Sequence, residues 1–191
     1  MSQHERPGSA RRDELLERAY RYALAHGLAE LSLRPLAAAI GSSPRVLLFL
    51  FGSKDQLIRA LLGRARADEL AALRRAREAG GADDFPAAVR TTWGWLVDPA
   101  HRPMLVLWVQ AYARSLSEPD GPWAGFARQT VQDWLGLLAE VGGRADSAGA
   151  DPALALALLR GALLDLLATG DAERTTAVVE HCLVLLAAAA R

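Results

Sequence analysis

The stretch "GSSPRVLLFLFGSKDQL", Gly41 to Leu57, contains two helix starts. Ser43 stands before Pro44, whose missing N–H costs nothing in a first helical turn. Ser53 stands three positions before Gln56, so the serine can accept from a free backbone N–H while the glutamine reaches back. Two short helices therefore meet near Phe51 and Gly52. Between Arg45 and Phe51 the first of them is apolar throughout.

Upstream, Arg12 to His26 places Leu15, Leu16, Ala19, Tyr22 and Ala23 on one helical face, and Gly27 is placed to stop it. Ser32 is placed to cap a short helix from Leu33 to Ile40, where Pro35 sits too early to need a helical N–H. Gly41, Ser42 and Ser43 then make a tight turn. Two short helices joined by a glycine-containing turn have the form of a helix-turn-helix, which lays its second helix in the DNA major groove. Downstream, Lys54 to Glu78 reads as one helix about 37 Å long at 1.5 Å per residue. Leu57, Leu61, Ala65 and Leu73 line one side of it, and Arg64, Arg66, Arg74, Arg75 and Arg77 read as a solvated face.

The chain of 191 residues is 51% hydrophobic and 23% charged, enough to bury one substantial core or two small ones. The polar N-terminus has no secretory pattern, and the longest uninterrupted apolar run, Cys182 to Ala190, is well short of the ~18 residues a membrane span needs. The expectation is a cytoplasmic chain with no membrane partner. Cys182 stands alone, and His4, His26, His101 and His181 have no zinc spacing, so neither a metal nor a cofactor is expected. Net charge is zero, yet residues 1–80 hold 14 Lys plus Arg against 9 Asp plus Glu. A basic front half suits a nucleic-acid partner and an acidic back half does not. Gly and Pro cluster at Ala79–Pro86, Val97–Pro103, Ser117–Pro122 and Gly142–Pro152, and the segments between them read as helix. The fold class is all-α.

"LSLRPLAAAIGSSPRVLLFLFGSKDQLIRALL" resembles the DNA-binding region of the TetR family of bacterial transcriptional regulators, over about residues 11 to 62. Similar to the family are the first helix ending at Gly27, the Leu36-Ala37 pair, Leu47 and Phe51 as core residues, and Ser53-Lys54 opening the long helix. The resemblance implies an N-terminal three-helix head with a helix-turn-helix over residues 1–52. It also implies a helical body over residues 53–191 that binds a small-molecule effector and pairs with its copy. Many members place Thr, Tyr and His, which commonly touch phosphates, where this chain has Val46, Leu48 and Leu50. Those donors are gone here.

By helical spacing Arg45, Leu48 and Phe49 share one face, while Leu47, Leu50 and Phe51 share another and go to the core. Arg45 can bond O6 and N7 of a guanine, and apolar neighbours can cover thymine methyls. Ser43, Pro44 and Val46 complete the expected groove-facing set. Phosphates would be met by backbone N–H groups after Ser32 and Ser43 and by Arg11, Arg12, Arg34 and Lys54. Lys54 is the only lysine in the chain.

In the back half Met104, Trp108 and Tyr112 form one stripe, and Trp123, Phe126, Thr130 and Trp134 another. All five tryptophans lie between residues 93 and 134. Such stripes serve a core, or an apolar pocket between helices. With the family resemblance added, the expected ligand-lining residues are Trp93, Met104, Trp108, Tyr112, Phe126, Thr130 and Trp134, with Gln110, Arg114, Gln129 and Gln132 as polar candidates. The last two helices, Pro152 to Ala168 and Ala172 to Ala190, are apolar nearly all round and must be covered on both sides. A two-fold copy can cover the outer side, giving a four-helix homodimer interface through Leu154, Leu158, Gly161, Val178, Cys182 and Leu185.

No Walker loop, dinucleotide-binding turn, metal cluster or nucleophile–base spacing supports an enzyme. The chain reads as a DNA-binding regulator, expected to be a repressor released from an inverted-repeat operator by a mostly apolar effector. The rival reading is a dimeric helical ligand-binding protein that has lost sequence-specific DNA affinity, which the missing donors at Leu48 and Leu50 suggest.

Overall fold

The computed structural model describes residues 7–28, 31–80, 84–142 and 151–189. Residues 81–83 and 143–150 of the punctuating segments expected at Ala79–Pro86 and Gly142–Pro152, His4, and the expected last helical residue Ala190 lie outside them. Every regular element among the described residues is helical: α1 Pro7–His26, α2 Leu33–Ala39, α3 Pro44–Phe51, α4 Lys54–Gly80, α5 Phe85–Val97, α6 Arg102–Ser117, α7 Phe126–Gly142, α8 Pro152–Thr169 and α9 Ala172–Ala189. A short 3-10 turn, Pro99–His101, joins α5 to α6.

The front helices follow the sequence closely, with differences that have simple causes. α1 starts at Pro7 rather than Arg12, because proline is well suited to the first helical position. Ser32 occupies the cap position of α2, but its side chain makes no capping bond; its carbonyl accepts from the Leu36 N–H at 3.2 Å. The expected side-chain cap is therefore corrected to a backbone start. Ser43 does cap α3, accepting from the Val46 N–H at 3.2 Å, and Ser53 caps α4, accepting from the Gln56 N–H at 3.1 Å. The Gln56 side chain lies over Gly52, where a Cβ would collide with it. Gly52 also holds φ 84°, a left-handed conformation that favours glycine.

The chain divides into two compact units, residues 1–68 with 106–127, and residues 69–105 with 128–191. The divisions fall inside α4, α6 and α7. In the first unit α1, α2 and α3 pack on one another through Leu15, Ala19, Ala23, Leu36, Leu47 and Phe51, all buried. α2 and α3 meet at 101°, within the ~90–120° of a helix-turn-helix. Arg18 on α1 donates to the Ile40 carbonyl at 3.3 Å, holding the end of α2.

In the second unit α5 packs against both α8 and α9, which pack on each other. Asp151 caps α8 and Asp84 caps α5, each by accepting a first-turn N–H at 2.8 Å. Trp93 Nε1 donates to Thr176 Oγ1 at 2.9 Å, tying α5 to α9. α8 is long and apolar enough to cross a membrane, with a mean hydropathy of 1.6. Counting uninterrupted apolar runs passes over it because Arg160 and Asp165 divide it. Its buried residues Leu156, Leu159, Leu163 and Leu166 pack inside the unit, and Asp165 is held by Arg174 of α9.

Candidate nucleic-acid interface

α3 sorts its side chains by burial in the way its periodicity requires. Leu47 and Phe51 are buried, and Leu50 is only half-buried, so the core use expected of Leu50 is partial. On the other face Arg45, Val46, Leu48 and Phe49 are exposed, Phe49 to 85%, Leu48 to 41% and Val46 to 38%. Pro44 is half-buried at the start of the helix. The Ser43 hydroxyl accepts from the Val46 N–H, and its own O–H remains able to donate.

The expected phosphate cations fall into two groups. Arg11 donates to Glu14 at 2.6 Å and holds that carboxyl below the usual carboxylate range; Arg18, at 2.6 Å from the same carboxylate, acts in the same direction. Arg12 lies 4.9 Å over the ring of Phe51 and 3.8 Å from Asp13. Both sites are exposed or half-exposed, where such pairs contribute ~0–1 kcal/mol, so a phosphate can compete for either guanidinium. Arg34, Arg45 and Lys54 are exposed and have no ion-pair partner among the described residues. Lys54 stands in the first turn of α4, where a cation opposes the helix dipole and a phosphate alongside would offset the conflict.

Behind the reading helices stands a polar cluster that pattern analysis passes over. Tyr20 of α1 donates to Asp68 of α4 at 3.0 Å, and Arg64 of α4 pairs with Glu17 of α1 and, at 3.3 Å, with Asp68. The Arg64 guanidinium lies 4.8 Å over the Tyr20 ring. Burial, and then the Asp68 charge, push the Tyr20 phenol well above its ordinary value. Arg64 is thus no part of a solvated face. Arg77 is not either, since it donates to the Leu137 carbonyl at 3.0 Å and to Glu140 at 2.9 Å.

The residues expected to line a ligand site divide between the two units. In the first, Trp108 is buried with its ring 5.1 Å from that of half-buried Tyr112, and Phe126 is buried. In the second, Trp93, Thr130 and Trp134 are buried and Met104 is half-buried. Trp134 Nε1 donates to Glu69 Oε1 at 3.3 Å, and Glu69 is only 3% exposed. A buried carboxylate was not expected from the pattern, yet its signal was there. The apolar series Leu57, Leu61, Ala65, Leu73 skips the position at which a four-residue step lands on Glu69.

The outer faces of α8 and α9 carry exposed apolar side chains: Leu154 and Leu164 on the first, Val178, Val184 and Leu185 on the second. Gly161 lies exposed between the two leucines of α8. Leu158 and Cys182 are half-buried.

Residues 15–61 match the family described as bacterial regulatory proteins, tetR family. No curated protein matches the chain. Many solved structures do. The multidrug binding protein EbrR, solved with imidazole, is 27% identical with a TM-score of 0.66, the match covering 95% of this chain and 93% of EbrR. A transcriptional regulator from Rhodococcus sp. Rha1 shares the fold at 21% identity and TM-score 0.74, over 92% of this chain and 95% of that one. SCO4454, a TetR-family transcriptional regulator from Streptomyces coelicolor, shares it at 22% identity and TM-score 0.70, over 92% and 93%. Residues 15–61, with their capped helix-turn-helix, match the tetR family of bacterial regulatory proteins, and every regular element in the rest of the described chain is helical.

Proposed function

We propose that this DNA-binding regulator acts in the cytoplasm as a homodimeric repressor, bound to an inverted-repeat operator until a small, mostly apolar effector lowers its affinity. The observation that carries the reading is α3. It turns Arg45, Val46, Leu48 and Phe49 outward beside two cations, Arg34 and Lys54, that no described acid neutralises. Residues 1–52 form the reading head in this proposal and residues 53–191 the effector-binding and pairing body. Arg45 takes a guanine, while Lys54, Arg34 and, in exchange for their internal partners, Arg11 and Arg12 take phosphates.

Pairing is supported by the uncovered apolar residues of α8 and α9, which a second copy would cover isologously. Two reading helices then require half-sites roughly 34 to 36 Å apart or a multiple of that. The candidates for effector binding are Trp108, Tyr112 and Phe126 in the first unit and Trp93, Met104, Thr130 and Trp134 in the second. EbrR, similar to this chain, is a multidrug binding protein that has also been solved with proflavin. α4 carries residues of both compact units and is the element whose tilt an effector would bias. A tenfold loss of DNA affinity requires a coupling of ~1.4 kcal/mol, and operator DNA must weaken effector binding by the same factor.

The test is selection of bound duplexes from a random pool, followed by gel shift of the enriched sequences and tryptophan-fluorescence titration of apolar compounds with and without operator. Enrichment of a palindrome and reciprocal weakening are the expected results. If no sequence shifts at low salt, the DNA reading fails. Compounds that bind equally well in both conditions would remove the coupling.

A further inference from the structure

We infer that α3 reads its operator chiefly through C5-methyl groups in the major groove, so that 5-methylcytosine serves in place of thymine at the positions it covers. The inference rests on the DNA-binding reading above and names what the reading helix recognises. Of the four exposed side chains on α3 from Arg45 to Phe49, only Arg45 carries a hydrogen-bonding group. The Ser43 hydroxyl sits before the helix, where it accepts from the Val46 N–H and keeps only its O–H to donate. Val46, Leu48 and Phe49 present only carbon to whatever they meet.

In the major groove every base presents hydrogen-bond donors or acceptors, and the one apolar feature is the methyl on C5 of thymine. An apolar side chain laid over a donor or acceptor desolvates it without compensation, which disfavours that base. Laid over a methyl it removes two apolar surfaces from water. The exposed face thus selects for methyls and against bare cytosine edges. A 5-methylcytosine carries the same methyl at the same place on the ring.

The occupant of this apolar face is a polyanion rather than another apolar protein surface, because the cations around it are unneutralised. Arg34, Arg45 and Lys54 have no ion-pair partner among the described residues, and α3 itself carries no acid. An eight-residue helix about 12 Å long, meeting α2 at 101°, also has the dimensions of a groove-reading helix.

The experiment starts from operators enriched from a random pool and changes one methyl at a time. Thymine is replaced by uracil at each position of a half-site, which removes the methyl and leaves every hydrogen-bonding group. At two or more positions affinity should fall about fourfold, the equivalent of ~0.8 kcal/mol for one buried CH2-sized group. At those same positions 5-methylcytosine should bind about fourfold more tightly than cytosine. Phe49→Ala, at a site too exposed to matter for folding, should abolish the uracil penalty at one position and leave the others. Sequence-specific binding that ignores uracil at every position would overturn the methyl inference and leave the DNA reading standing. Uracil penalties that survive Phe49→Ala and Leu48→Ala alike would overturn the assignment to α3. Failure to enrich any sequence would overturn both readings together.

Discussion

Tyr20 donates its phenolic hydrogen to Asp68 at 3.0 Å, across 48 positions of sequence, and so ties the first helix of the reading head to the long helix α4. With Glu17 and Arg64 it forms a polar joint between α1 and this part of α4. Tyr20→Phe removes one hydrogen bond to a charged acceptor, and should cost about 1.5–3 kcal/mol of stability in urea unfolding.

The same pair sets an alkaline limit. The fold raises the Tyr20 pKa, chiefly by burial, so the native state keeps its proton while the unfolded chain loses it above the ordinary value of about 10. The unfolded state then binds fewer protons than the native state, and stability must fall as pH rises. Unfolding midpoints measured from pH 8 to 11 should show a loss starting near pH 10 that is reduced in Tyr20→Phe.

Arg45 and Lys54 should fail in different ways. Arg45→Ala should cost about 1–3 kcal/mol on the selected operator and relax one base position. Lys54→Ala should weaken all sequences alike and reduce the salt slope by about one. Gel shifts on the operator and its single-base variants, repeated across a salt series, separate the two; equal effects on every base from Arg45→Ala would remove its role as a reader.

Leu185 is 55% exposed on α9, so it is no core residue of the protomer, and the proposed dimer would cover it. Leu185→Glu should yield a folded monomer with helicity unchanged, and protomer stability within ~0.5 kcal/mol of the parent, as for a surface change. Sedimentation at micromolar concentration measures this. A native parent that already sediments as a monomer would dismiss the interface.

Asp165 on α8 takes both oxygens to Arg174 of α9, each at 2.7 Å, and Arg174 holds its carboxyl below the usual carboxylate range. A depressed carboxyl contributes stability that is present above its unfolded value and lost as pH falls through its folded value. The pair is exposed, so the effect is small and weakened by salt. Asp165→Asn should therefore flatten the acid limb of unfolding below about pH 4 while leaving neutral stability little changed.

The helix-turn-helix was legible because it is specified by neighbours. Ser43 and Ser53 cap within three residues, Gly52 must take a positive φ, and the Leu47 and Phe51 stripe needs only the period of one helix. The apolar faces of α8 and α9 were legible for the same reason, since a helix without a polar side must turn some apolar residues outward, as Leu154, Leu164, Val178 and Leu185 are. Arg64 was not legible, and Glu69 left only a gap in the apolar series of α4. Arg64 is a charged residue on a long helix rich in charge, and nothing local distinguishes it, paired across 47 positions with Glu17, from the exposed Arg74 and Arg75. The sequence by itself determined where helices begin, where they end and which of their faces avoid water, because those depend on groups within a turn or two of one another. Only the tertiary structure decided which arginines are engaged and which are free to meet phosphate, and which tryptophan N–H meets a buried carboxylate, because a charge is satisfied by whatever the fold brings within about 3 Å, from any distance along the chain.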